Sequence, residues 1–137
     1  MITTGELYSY FDRKIPRALS CDWDNDGLMV CADSTREVKK ALFALDVTDA
    51  VADYAIAGGY DLIISHHPLI FSPLKAINTE NPVSARVLHL IAAGISVFSF
   101  HTRLDALDGG VNDILAASLG LENTRPFGPA GERSEER

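Results

Sequence analysis

The sequence predicts an α/β domain with a mostly parallel sheet flanked by helices. Short apolar runs of strand length alternate with segments of helical periodicity, and each predicted helix has its own capping and terminating residues. The 137 residues are 47% hydrophobic and 23% charged, which is enough for one core and typical of a globular domain. This composition excludes disordered, collagen-like and disulfide-scaffold chains.

The first predicted element is a helix that Thr3 or Thr4 caps and that Pro16 ends, because the proline ring cannot continue a helix. Residues 28–32 and 38–45 are runs that favour strands. A polar turn lies between the two runs, so the pattern predicts that they form a loose hairpin.

Strand and helix begin to alternate after this predicted hairpin. A strand over 41–45 precedes a helix that Thr48 caps, and Gly58 and Gly59 follow its last residue. The apolar run at 62–65 then predicts a buried strand.

A second unit repeats this order with its own cap and stop. Asn78 or Asn81 precedes Pro82, which occupies a first helical position, and Gly94 ends the helix. The next predicted strand covers residues 95–100.

A domain boundary is visible near the end of the chain. A last helix follows Gly110, and the composition changes after Glu122 to alternating charges without an apolar period. The apolar stripe of this helix consists of Val111, Ile114, Leu115 and Leu119. We therefore expect one domain over residues 1–122, and a flexible charged tail or the start of a linker to a missing second half over residues 123–137.

Charge and hydropathy exclude two classes of partner. With 19 acidic and 12 basic side chains the net charge is -7, so no broad basic face attracts nucleic acid. The longest apolar window, 87–100, is too short and too interrupted to span a membrane. Cys21 and Cys31 are the only cysteines and no secretory leader precedes them, which predicts free thiols and a cytoplasmic location.

Titratable side chains collect just after the predicted strands. Asp46 follows the strand that ends at residue 45, and His66 and His67 follow the strand that ends at residue 65. His101 follows the third strand, with Asp105 four residues later. Because the carboxyl ends of parallel strands share one edge of a sheet, we expect these residues to converge there.

Imidazole and carboxylate groups at one edge indicate a site for zinc, iron, manganese or nickel. Adjacent side chains diverge and Pro68 favours an extended His67, so two ions with one histidine each fit better than one shared ion. Asp105 has two oxygens that could bridge ions about 3.5–4 Å apart, and His101 would complete one coordination sphere. The cofactor prediction is therefore two divalent metal ions held by His66, His67, His101 and Asp105.

Structural interpretations of these residues that involve no metal also stay open. His66 and His67 could form a plain polar loop beside proline. His101 could be a histidine at a strand end whose hydrogen bonds are all made within the chain. Asp46 could either lead the following helix or orient a histidine. His89 lies off the apolar stripe of its helix, so we expect it to be solvated.

A second candidate site lies at residues 22–27, which match the start of an EF-hand calcium loop. Against calcium, residues 28–32 favour a strand where the EF-hand needs a helix. In addition, Val30 occupies a position where an EF-hand usually has a polar ligand, and Asp33 replaces the bidentate glutamate of the twelfth position. We favour the alternative of a tight acidic turn in which Gly27 is free to adopt a positive φ.

Three segments carry a family resemblance. They consist of Trp23, Asp24, Asn25, Gly27 and Leu28; of Ser65, His66, His67, Pro68 and Leu69; and of His101, Thr102, Leu104, Asp105, Gly109, Gly110, Val111, Asn112 and Asp113. Together they resemble the amino-terminal half of the Nif-three-like dinuclear metal family, whose members are often called type 2 GTP cyclohydrolase I. The resemblance covers residues 1 to about 122.

The resemblance implies a two-metal centre with His66, His67, His101 and Asp105 as the ligands from this half, and assembly into a toroidal hexamer. It also implies a further histidine and glutamate from a second half-domain, which no motif in this sequence matches. We therefore expect a fragment, a natural truncation, or a site completed by water or a partner. Arg103 stands where the family usually has a small polar residue, an exchange that could alter the mouth of the site but not the ligands.

From the two-metal site we expect metal-assisted hydrolysis of a small-molecule substrate, in which the ions acidify a water molecule and polarise the bond under attack. The resemblance implies attack on the purine ring of GTP. No glycine-rich phosphate loop supports that substrate, and Gly109 with Gly110 is only a weak anion-site candidate. The alternative is a non-catalytic metal-binding scaffold or regulatory interaction protein, which would use the same ligands.

Overall fold

The computed structural model describes residues 1–125 and shows the alternation of strands and helices that the sequence predicts. The α/β class is thus confirmed. In this part of the chain the elements are α1 (Thr4–Lys14), a 3₁₀ turn (Arg17–Leu19), β1 (Gly27–Val30), β2 (Ala41–Ala44), α2 (Asp49–Ala57), β3 (Leu62–Ser65), α3 (Pro82–Ala92), β4 (Ser96–Ser99), α4 (Thr102–Ala106) and α5 (Val111–Ser118). The tail predicted over 123–137 lies outside the described residues from residue 126 onward.

The four strands form one sheet in the order β1-β4-β3-β2. β2 pairs with β3 and β3 pairs with β4 in parallel, whereas β1 runs antiparallel to β4. The sheet is therefore mixed, which corrects the prediction of a mostly parallel one. The reason is that parallel neighbours need a crossover connection, and the helical crossovers α2 and α3 connect only β2, β3 and β4.

The predicted hairpin is wrong. β1 and β2 occupy opposite edges of the sheet, so the polar turn between them does not join paired strands. Their connection instead contacts the chain before α1, where Val38 N–H donates to the Ile2 carbonyl at 3.0 Å and Thr3 forms a bridge with Glu37. Turn residues alone do not choose a partner strand, because pairing also depends on which face and which edge the strand buries.

Capping residues begin three of the helices as the sequence predicts. Thr3 caps α1 in a capping box with Glu6, whose N–H donates to Thr3 Oγ1 at 3.2 Å. Thr48 caps α2, and Asn81 caps α3 with Pro82 at the first helical position. The caps at Thr48 and Asn81 fix where α2 and α3 begin, and therefore how long the loops after β2 and β3 are.

Helices cover both faces of the sheet. On one face Ala55 of α2 and Leu90 of α3 belong to a core cluster with Ile63 of β3. On the other face Phe98 of β4 is in a second cluster, against which Phe11 of α1 packs. Burial from both sides explains why every residue of β3 and β4 is buried.

Some predicted apolar surface stays exposed. Ile114 is 63% exposed and Leu119 is 68% exposed, so the stripe on α5 is not packed into either core cluster. Neither Cys21 nor Cys31 forms a disulfide, as predicted. Among residues 1–125, no helix has the length and apolar content to cross a bilayer.

Candidate metal centre

Three histidine side chains meet at the carboxyl edge of the sheet. His66 and His67 directly follow β3, and His101 lies just beyond β4. They converge because β3 and β4 are parallel neighbours that place Ser65 beside Ser99. The ring centroids are 5.1 Å apart for His66 and His67, 5.3 Å for His66 and His101, and 5.7 Å for His67 and His101.

The three imidazoles offer nitrogen atoms to a common space. One candidate ligand atom from each of them lies within 4.8 Å of the other two. Asp105 of α4 is next to this group, since its Oδ1 lies 2.9 Å from His66 Nε2. The structure therefore brings together all four residues that the sequence analysis singled out as ligands, which are His66, His67, His101 and Asp105.

Carboxylates outside this group hold two of the rings. Asp46 Oδ1 lies 2.7 Å from His67 Nδ1, and Asp24 Oδ1 lies 3.0 Å from His101 Nδ1. An ionised carboxylate only accepts hydrogen bonds, so each Nδ1 is the donor, and in a neutral imidazole held this way Nε2 is the nitrogen that can bind a metal. Of the two interpretations of Asp46, the structure supports the one in which it orients a histidine.

Asp24 is the site residue that sequence reasoning missed. Its side chain is 0% exposed and accepts from the backbone N–H of Thr102 at 3.0 Å and from the Thr102 hydroxyl at 2.6 Å. Burial by itself raises the pKa of a carboxyl group. Here the hydrogen bonds from Thr102 and His101 outweigh burial and hold the pKa of Asp24 below its ordinary value. Asp24 therefore stays ionised beside His101 at neutral pH.

The acidic turn at residues 22–27 is not an EF-hand. A strand, β1, begins at Gly27, whose φ of 116° fits the predicted tight turn. Asp26 accepts from the His101 N–H at 3.2 Å and from Arg103 Nε at 3.0 Å. The buried carboxylates of this turn thus fix the segment that follows β4, which explains the acidic pattern without calcium.

Arg103 lies in the core and not at the mouth of the site, which corrects the expectation from the sequence. Its side chain is 0% exposed and forms ion pairs with Asp26 at 3.0 Å and Asp12 at 2.7 Å. It also donates to the Ile15 carbonyl at 3.0 Å, and its guanidinium carbon lies 4.9 Å from the centre of the Phe100 ring. Burial lowers the pKa of a guanidinium group, but these carboxylates more than offset burial and raise the pKa of Arg103.

The donor set fits a divalent transition-metal ion. His66 Nδ1 is buried and has no hydrogen-bond partner among the residues that the structure describes. A buried polar atom without a partner is uncommon and points to a functional role or to a bound ligand. Three imidazoles and one carboxylate are the ligand types that zinc, iron, manganese and nickel share.

Two other sequence candidates lie outside this centre. His89 is on α3, with 57% of its side chain exposed, and is solvated as expected. The Gly109 N–H donates to Asp113 at 2.6 Å, and the Gly110 N–H donates to a nearby carbonyl at 2.9 Å. Because both N–H groups already have acceptors within the chain, the structure does not support an anion site at these glycines.

A family model described as Duf34/NIF3 (NGG1p interacting factor 3) matches residues 2–135. The chain belongs to the Duf34/NIF3 family. This is the family that the sequence resemblance indicated, so that prediction is confirmed.

Relatives within the Duf34/NIF3 family are considerably longer than this chain. The GTP cyclohydrolase 1 type 2 homolog of Halalkalibacterium halodurans is 36% identical over 97% of this chain and 36% of its own length. The homolog of that name from Listeria monocytogenes is 42% identical over 90% of this chain and 33% of its own length. The crystal structure of a Bacillus cereus protein related to NIF3 matches with a TM-score of 0.84 and 41% identity, over 93% of this chain and 35% of that chain. The chain thus spans about a third of the length of these relatives.

We predict that replacing Arg103 destabilises the fold far more than replacing Arg17, although both contact Asp26. Arg103→Met leaves the fully buried Asp26 carboxylate without its main counter-charge, so the free energy of unfolding should fall by about 3–5 kcal/mol. Arg17→Met, at a side chain that is 59% exposed, should cost about 1 kcal/mol or less. Urea denaturation followed by circular dichroism measures both, and equal losses would contradict a structural role for the buried pair.

Proposed function

We propose that this chain supplies the metal-binding half of the active site of a metal-dependent hydrolase. The observation that carries the proposal is the convergence of three imidazoles at one sheet edge, with a candidate ligand atom of each within 4.8 Å of the others. His66, His67, His101 and Asp105 are the proposed ligands.

The proposed cofactor is a pair of divalent ions, with zinc, iron, manganese and nickel as the candidates. His66 and His67 are consecutive and their ring planes are 64° apart, which favours one ion for each imidazole. Asp105 has two carboxylate oxygens, and its Oδ1 lies 2.9 Å from His66 Nε2, so it would supply the carboxylate ligand of such a pair.

A pair of such ions supplies Lewis acidity, which acidifies water and polarises the bond to be hydrolysed. The chain's own residues prepare the ligands for this task. Asp46 and Asp24 hold the Nδ1 hydrogens of His67 and His101, so the Nε2 lone pairs of those rings are available for ligation. The buried hydrogen bonds of Asp24 fix its position before any ion arrives.

The names of the relatives support hydrolysis of a small molecule, since a cyclohydrolase opens a ring with water. GTP, attacked at the ring carbon that leaves as formate, is the first substrate to test. Assembly into a homo-oligomeric ring of six chains, and a cytoplasmic location, both stay predictions. A metal-binding scaffold would have the same ligands, and only turnover separates it from an enzyme.

We predict that the purified chain binds about two equivalents of zinc or manganese. His66→Ala and His101→Ala should each lower the bound metal, because each removes an imidazole ligand. His89→Ala is the matched control, since it removes an exposed histidine from α3 and should leave the metal content unchanged. Elemental analysis after dialysis measures all four proteins, and a loss as large in His89→Ala as in the site variants would overturn the ligand assignment.

A second prediction concerns the carboxylate behind His101. Asp24→Asn removes the charge that orients this imidazole but keeps every proposed ligand, so metal affinity should fall about 10–100-fold without being abolished. Competition with a chromogenic chelator gives the affinity. Asp53→Asn, at a side chain that is 69% exposed on α2, should bind metal as tightly as the unaltered chain. An unchanged affinity in Asp24→Asn would show that Asp24 does not tune the site.

Turnover tests the hydrolase proposal itself. We predict that the metal-loaded chain hydrolyses at least one of GTP, a nitrophenyl phosphodiester and a cyclic amide faster than His66→Ala does under the same conditions. Formate release, nitrophenolate absorbance and loss of the amide ring are the respective measurements. Bound metal without turnover above His66→Ala would contradict the hydrolase and favour the scaffold.

A further inference from the structure

Two aromatic rings stand half exposed beside the candidate metal centre. Trp23 and Phe71 are each 52% exposed, and their centroids lie 6.1 Å apart with the ring planes at 61°. Trp23 also meets the imidazole of His101, with 6.2 Å between centroids. We call Trp23 and Phe71 the aromatic corner, and it adjoins the histidine group through His101.

Hydrogen bonds hold the loop that carries Trp23 in place. On one side Asn25 Nδ2 donates to the Ile70 carbonyl at 2.6 Å, which ties the loop to the residue before Phe71. On the other side the Cys21 N–H donates to the hydroxyl of Thr102, the first residue of α4, at 3.0 Å. The backbone that carries the indole is therefore held before any ligand arrives, and little backbone entropy is left to lose on binding.

The chemistry of the corner favours a flat, uncharged or cationic ring as its ligand. Rings prefer offset-stacked and edge-to-face contacts, and about half of the surface of Trp23 and of Phe71 is exposed for contact with a third ring. Asp22 is exposed next to Trp23, and its negative charge favours an uncharged or cationic ring over an anionic one.

We propose that the aromatic corner binds the planar heteroaromatic ring of a small-molecule substrate and holds it next to His101. Ring binding is a property of the corner itself, whereas its assignment to the substrate rests on the hydrolase function proposed above. Trp23 and Phe71 then determine specificity, because they select a flat ring and place it beside the proposed metal ligands.

Trp23 is the only tryptophan of the chain, so its fluorescence reports directly on the corner. Adenosine is the probe, since it presents a planar uncharged base, and ribose is the control that lacks the base. We expect adenosine to quench the fluorescence saturably and ribose to have no effect. Quenching by ribose to the same extent, or quenching that does not saturate, would overturn the proposal.

Variants locate the binding. Phe71→Ala keeps the reporter and removes one wall of the corner, so the half-saturating adenosine concentration should rise about threefold to tenfold. Phe43→Ala removes a phenylalanine that is 71% exposed on β2, outside the corner, and should leave the titration unchanged. Trp23→Leu, followed by broadening of the adenosine proton signals in NMR spectra, should weaken binding about tenfold or more. Equal affinities in Phe71→Ala and Phe43→Ala would exclude the corner.

Metal content separates this proposal from the hydrolase. His66→Ala should lose metal and still show adenosine quenching, whereas Phe71→Ala should keep metal and quench weakly. If the unaltered chain binds metal but adenosine does not quench, the corner proposal fails alone. If adenosine quenches in a chain that binds no metal, ring binding stands and the hydrolase fails. A fluorescence maximum that shifts with protein concentration would show that a second copy covers the corner, which overturns a small-molecule ligand.

Discussion

The parallel pairing of β3 with β4 is the constraint on which the candidate centre depends. Ser65 and Ser99 are partners in this register, and the Phe100 N–H donates to the Ser65 carbonyl at 2.9 Å beyond the last strand pair. The two serine hydroxyls lie 2.9 Å apart, and the Ser65 hydroxyl also donates to the His67 carbonyl at 2.9 Å. Residues directly after the strands therefore have little freedom. A register slip of one residue would turn the imidazoles to opposite faces, because side chains alternate along a strand.

The acidic turn before β1 also holds the residues of the candidate centre in place. Its two buried carboxylates have different tasks: Asp24 orients the imidazole of His101, and Asp26 pairs with the buried guanidinium of Arg103. A buried charge costs free energy unless it is paired and hydrogen-bonded. Both carboxylates meet that condition with several donors each, so the turn and the start of α4 fix one another. The antiparallel pairing of β1 with β4, which the strand–helix alternation did not predict, is what brings the turn to this edge.

The sequence predicted the helix starts, which depend on local capping residues, and the convergence of the histidines, which follows from one general rule on parallel sheets. Caps such as Thr48 and Asn81 define helix starts within a few residues, and the rule that parallel strands share a carboxyl edge placed His66 beside His101. The pairing of β1 could not be predicted, because the turn that follows it fits a hairpin equally well. Nor could the bond between Asp24 and His101, whose partners are 77 residues apart. Arg103 shows the same limit: the family resemblance suggested the mouth of the site, and only the buried carboxylates explain its place in the core.

The same turn connects the candidate metal centre with the aromatic corner. Trp23 and Asp24 are consecutive, so the backbone that fixes the carboxylate behind His101 also fixes the indole. The hydrogen bonds from Thr102 to Asp24 and from Asn25 to Ile70 anchor the two sides of this short loop to different elements. A shift of the backbone at Trp23 would have to stretch one of these bonds. A fixed loop that presents Trp23 beside oriented imidazoles is therefore the arrangement that the contacts favour.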